Sequence, residues 1–160
     1  MTELVKSARP ARPEFRNINA FTDLPSYRLP PAGWVSILHR ISGAIMFLLM
    51  PFIIWMFDTS VSSEYSFLKF KYAFNVGIPF DMSFLGASKP VLVPGMFWKL
   101  LALSLIWAYL HHFIAGVRHV WMDTHHDASS KEFGRSSAWV TLVLGSVLTL
   151  VLGAKLFGAY

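Results

Sequence analysis

Two polar clusters, each set inside an apolar stretch, carry the side chains that could do chemistry. The first is Ser36-Ile37-Leu38-His39-Arg40-Ile41-Ser42-Gly43. Ser36, His39 and Arg40 stand at i, i+3 and i+4, so a helix puts them on one face, and Gly43 opens that face to a flat ligand. The second is His111-His112-Phe113-Ile114-Ala115-Gly116-Val117-Arg118-His119. His112 and His119 share a helix face about two turns apart, with Gly116 between them. Imidazole is a good axial ligand for haem iron, and Arg or His near the headgroups pairs with propionates. Plainer readings stand beside these. Arg40 could snorkel to the interface while Ser36 and His39 bond to backbone, and His112 could be a core histidine bonded across helices. Spacing alone leaves His112 evenly placed between the two. A single helix cannot give an iron both axial ligands, since they approach from opposite faces. The second would come from His39, the only in-chain candidate at matching depth, or from another chain.

Composition restricts what else these residues can do. The chain is 54% apolar and only 14% charged, where soluble domains are about a quarter charged. It holds no cysteine, so disulfides and iron–sulfur clusters held by this chain are excluded, and a redox group would be held by histidine or methionine. The net charge of +5 is better read as basic residues marking one membrane face than as nucleic-acid binding.

Three apolar stretches are long enough to cross a hydrocarbon core, which takes about twenty helical residues. They predict an all-α integral membrane protein with spans at about 34–57, 96–122 and 138–157. Residues 1–32 are expected as a cytoplasmic tail that ends at Arg28-Leu29-Pro30-Pro31, and 33–160 as a single three-helix membrane domain. The first thirty residues have no apolar core, so a secretory signal is not expected. Pro51 should kink the first span. The stretch from Asp58 to Gly95, rich in aromatics and broken by Pro79, Pro90 and Pro94, is expected as an external loop at the interface. Lys6, Arg9, Arg12, Arg16, Arg28, Arg40, Arg118, Lys131 and Arg135 fall on one side, against Lys69, Lys71, Lys89, Lys99 and Lys155 on the other. That asymmetry predicts the N-terminus inside. Antiparallel spans then bring Ser36, His39 and Arg40 level with Arg118, His119 and Asp123.

The remaining polar residues receive bland readings. His111 points about a third of a turn away as a packing neighbour, and His125 and His126 fall in a solvated loop. Thr141, Gly145, Thr149 and Gly153 form a small-residue stripe for close helix packing. Met46, Met50 and Met56 are core or lipid-facing.

The two clusters, in this order on a three-span chain without cysteine, resemble the cytochrome b membrane anchor (b556-type) of succinate dehydrogenase. The matching residues are Ser36-Ile37-Leu38-His39-Arg40-Ile41-Ser42-Gly43, and His112 followed by Gly116-Val117-Arg118-His119-Val120-Trp121-Met122-Asp123. The resemblance covers roughly residues 28 to 157, apart from the stretch 58–95. It implies a complex with a flavoprotein that oxidises succinate, an iron–sulfur subunit, and a second membrane anchor sharing one haem b. It implies His112 as an axial ligand, with the other histidine from the sister anchor. Ser36 would bond a ubiquinone carbonyl, and Arg40 would face an anionic reduced quinone or a propionate. His39, Arg118 and His119 would lie near the haem propionates, with Asp123 orienting the Arg118–His119 pair. No succinate chemistry falls to this chain. The implied location is a bacterial cytoplasmic membrane, ahead of the mitochondrial inner membrane. The alternatives are a haem b anchor of a quinol:fumarate reductase or another respiratory complex, and a haem-free structural anchor. The sequence departs from the family pattern in a longer tail, a longer 58–95 segment, and His125 after Asp123-Thr124.

Overall fold

The computed structural model describes residues 17, 19, 21–23, 26–81, 83, 86, 89–125 and 130–159. Lys6, Arg9, Arg12, Arg16 and His126 lie outside them. Five helices and two strands follow in order: α1 (Pro31–Leu48), α2 (Met50–Val61), α3 (Glu64–Asn75), β1 (Gly77–Phe80), β2 (Val91–Pro94), α4 (Gly95–Thr124) and α5 (Lys131–Leu156).

Proline sets both ends of α1. Pro31 occupies the first turn of α1, where its missing N–H costs nothing. Pro51 occupies the first turn of α2. It cannot donate to the carbonyl one turn back, so the helix breaks at Leu49 and α1 and α2 meet at 55°. The expected kink is therefore a joint between two helices. α4 and α5 are each long and apolar enough to cross a membrane, and the bent α1–α2 pair has the length and composition of a further, broken span or of a re-entrant loop. The third span begins at Lys131, before the expected Ala138, because the Ser130 hydroxyl caps the helix by accepting from the Phe133 N–H at 3.2 Å. That cap lets a polar turn lead into the apolar run.

The chain is mostly helical, and the stretch expected as an external loop carries a helix and a short strand pair of its own. Ser63 and Ser66 form a reciprocal capping box that starts α3. Lys69 and Lys71 reach over the rings of Tyr65 and Phe67. β1 and β2 then pair antiparallel with Gly77 opposite Pro94 and Phe80 opposite Val91. Gly77 has φ +129° and lies so close to the Val93 carbonyl that a side chain there would collide with it. Between the strands, Asp81 accepts the Ser83 backbone N–H at 2.9 Å, which holds its carboxyl below the usual range.

α4 lies between α1 and α5, and α1 also touches α5. Within the bundle the buried positions are mostly small, among them Ser42, Ala102, Ala108, Ala115, Ala138, Thr141, Gly145 and Gly153, joined by Val35, Leu105 and the larger His111. The large side chains, such as Phe47, Ile54, Val140 and Leu150, point outward. Small residues inside and large ones outside suit a bundle whose surroundings are lipid, where close backbone approach replaces an oily core.

Candidate functional site

The site is built where α1 crosses α4. His39 stacks on His112 with ring centroids 4.1 Å apart and planes 22° apart, and His119 leans on the other side of His39 at 5.4 Å. Two of the expected clusters therefore meet, as antiparallel spans require. Glycines on both helices allow the approach. A side-chain carbon on Gly43 would stand 3.0 Å from His112 Cε1, and one on Gly116 would stand 3.7 Å from His39 Nε2.

Hydrogen bonds decide which nitrogen of His112 carries the proton. The Ser42 hydroxyl, wholly buried, donates to the His39 carbonyl at 2.8 Å. The same carbonyl lies 3.1 Å from His112 Nδ1, and Ser42 Oγ lies 3.3 Å from it. A carbonyl can only accept, and the serine has already spent its one proton on that carbonyl. Nδ1 is therefore the protonated nitrogen, donating to the carbonyl with the serine oxygen as a second acceptor. Nε2 keeps its lone pair. A backbone carbonyl fixing the tautomer and orientation of an imidazole is the usual support behind a metal-binding histidine. Ser42 escaped the sequence reading as a participant. Its signal was a hydroxyl three residues after His39, the spacing at which serine bonds back to a helix carbonyl.

His112 lines an apolar groove of about 430 Å³ with Phe113, Gly116, Val117, Val120, Trp121 and Thr124. The groove runs along the outward side of α4, so this chain supplies one wall. Beside it, His39 Nε2 is buried and makes no hydrogen bond of good geometry among the described residues. A haem edge fits this donor set: an Nε2 lone pair at His112, a glycine-lowered wall, and a second imidazole nitrogen where a propionate or water would be received.

The other expected residues divide. Ser36 is half-buried and Arg40 exposed, on the outward side of α1. Arg118 turns away from the histidines. Its Nε donates to Ser137 Oγ at 2.9 Å and its Nη2 to the Gly134 carbonyl at 3.1 Å, both on α5. Asp123 is exposed and is not the partner of Arg118. His125 is exposed and stacks on Trp121 at 4.1 Å. His111 is 98% buried, stacked on Trp107, with Nδ1 against Gly145 and the Val35 backbone also within its reach. It wedges α4 against the small-residue stripe of α5.

Comparison with known proteins accords with this geometry. Residues 14–152 match the model of the succinate dehydrogenase/fumarate reductase transmembrane subunit family. The chain is also similar to the succinate dehydrogenase cytochrome b556 subunit of Coxiella burnetii (strain RSA 493 / Nine Mile phase I). The two are 29% identical over 131 residues, which is 82% of this chain and 90% of that protein.

Proposed function

The chain belongs to the family of succinate dehydrogenase/fumarate reductase transmembrane subunits, and from that premise we propose that it is the haem b-carrying anchor of a succinate dehydrogenase and forms part of its ubiquinone-reduction site. His112 would hold the haem iron from this side, with a histidine of a second membrane anchor supplying the other ligand. The observation that supports this most directly is the proton on His112 Nδ1, held by the His39 carbonyl and the Ser42 oxygen. It leaves Nε2 as the free donor of a residue lining an open groove. Bound there, a haem supplies one-electron storage close to the quinone.

This chain's own residues bind and orient. Ser36 and Arg40, four residues apart on the outward side of α1, meet the quinone: the hydroxyl donates to a carbonyl oxygen, and the guanidinium stabilises negative charge as that oxygen is reduced. Arg40 is exposed and Ser36 half-buried in the isolated chain, which agrees with a site completed by the iron–sulfur subunit and the sister anchor. His39, its Nε2 making no hydrogen bond of good geometry among the described residues, and His119 receive the propionates. Arg118, bonded to α5, adds positive charge from the far side of α4 without entering the groove. Succinate oxidation belongs to the flavoprotein, and the N-terminus faces the same side as the soluble subunits.

The test is an optical difference spectrum of the purified complex, succinate-treated minus air-oxidised, with haem quantified per flavin. The wild type should give a b-type band on adding succinate. His112→Ala should abolish the band while both membrane subunits remain in the complex. Full haem content in His112→Ala would remove the ligand assignment.

A further inference from the structure

A second concavity lies apart from the histidine groove, where three helix ends converge. Pro30, Pro31 and Ala32 come from the start of α1, Arg118 and Met122 from the last turns of α4, and Ser130, Lys131, Gly134 and Arg135 from the start of α5. Together they enclose about 470 Å³. Three of these residues are cationic, and among the described residues no acidic side chain lines the space. The prolines, Ala32 and Met122 give it an apolar wall. Arg118 is fixed in place, since its Nε and Nη2 are committed to Ser137 and the Gly134 carbonyl. Its other N–H groups remain for the pocket. The Gly134 carbonyl is already taken by Arg118, so it does not repel an anion entering beside it.

Depth identifies the occupant. The pocket sits where α1 and α5 begin and α4 ends, so it lies at the level of the headgroups for any bundle whose apolar lengths cross the core. A cationic rim over an apolar wall, at that depth and between helices, matches a molecule with a phosphodiester joined to acyl chains. Basic pockets between membrane helices attract such headgroups. We propose that this pocket is a binding site for the phosphate of an anionic phospholipid, which ties together the ends of α1, α4 and α5. The phosphate is received by Lys131 and Arg135 with Arg118 behind it, and the first acyl carbons lie along Pro30, Pro31 and Met122. The proposal is independent of the haem reading, because the pocket shares no residue with the histidine groove.

The complete complex, purified and placed in nanodiscs of phosphatidylcholine with graded phosphatidylglycerol, provides the test. Lys131 labelling by an acetylating reagent and lipid retention in native mass spectrometry are the two readouts. Phosphatidylglycerol should protect Lys131 and stay bound as a saturable lipid. Lys131→Gln with Arg135→Gln should weaken retention about thirtyfold, the product of two basic residues near a membrane surface. Lys131→Arg with Arg135→Lys should keep it, which separates lost charge from lost fold. Equal retention in the Gln pair would overturn the proposal. So would equal protection in phosphatidylcholine alone, which would assign the pocket to a partner subunit. Protection by inorganic phosphate as strong as that by phosphatidylglycerol would assign a free anion and also overturn it.

Discussion

Substituting Gly43 with alanine isolates the relation between helix packing and the proposed ligand. The new methyl carbon would stand 3.0 Å from His112 Cε1 and 3.3 Å from Nδ1, where carbon contacts settle at about 3.5–4.0 Å. The imidazole must therefore retreat by roughly 0.5 Å or more. Its Nδ1 lies 3.1 Å from the His39 carbonyl and 3.3 Å from Ser42 Oγ. A retreat of that size takes both contacts past hydrogen-bond range. Two effects on folding oppose each other. Alanine for glycine inside a helix stabilises by about 1 kcal/mol, while overpacking costs about 1–3 kcal/mol. The complex should therefore assemble, with a net loss of at most about 2 kcal/mol. The loss at the metal is larger, because removing the support behind a ligating histidine weakens metal binding by about 10–100-fold. The assay is haem per flavin in the purified complex, with Gly134→Ala as the comparison, since a side-chain carbon there meets nothing within 4 Å. The expected outcome is depleted or broadened haem absorbance in Gly43→Ala and full haem in Gly134→Ala. Normal haem content and an unshifted band in Gly43→Ala would refute the reasoning.

Other substitutions separate the remaining parts of the molecule. Ser36→Ala should raise KM for ubiquinone about fivefold through the loss of one hydrogen bond, while electron transfer from succinate to an artificial acceptor is unchanged; an unaltered KM would remove Ser36 from the quinone site. Gly77→Ala should sharply reduce the yield of assembled complex, because the residue has φ +129° and its new carbon would meet the Val93 carbonyl. A wild-type yield on membrane solubilisation would show that the β1–β2 pair is dispensable.

The helices were legible because the signals were long: three apolar runs, with Pro30-Pro31 ahead of the first and Pro51 marking its bend. The levelling of His39 with His119 was legible too, since antiparallel spans fix depth, whereas the stacking of His39 on His112 was not. What the sequence withheld was local. The capping box of Ser63 and Ser66 uses serine at a position where glutamate is the familiar sign. The β1–β2 pair is four residues on each side and carries proline in both strands, so alternation is too short to read. Rotation about the α4 axis was the other gap. Arg118 and His119 are sequence neighbours, yet a helix turns about 100° between them. One therefore faces α5 while the other faces α1, and spacing alone could not say which.

The joint at Leu49 bears on how the protein meets bilayers of differing thickness. α4 is about 45 Å long from its thirty residues, well beyond a hydrocarbon core of about 30 Å. The eighteen residues of α1 reach about 27 Å, and the twelve of α2, inclined at 55°, add only about 10 Å more along that axis. The first span can thus take up mismatch by swinging α2 about a proline-interrupted joint, where the other two spans would have to tilt whole. Thinning or thickening of the membrane is absorbed in the half of the span that carries no histidine, and the register between α1 and α4 stays fixed.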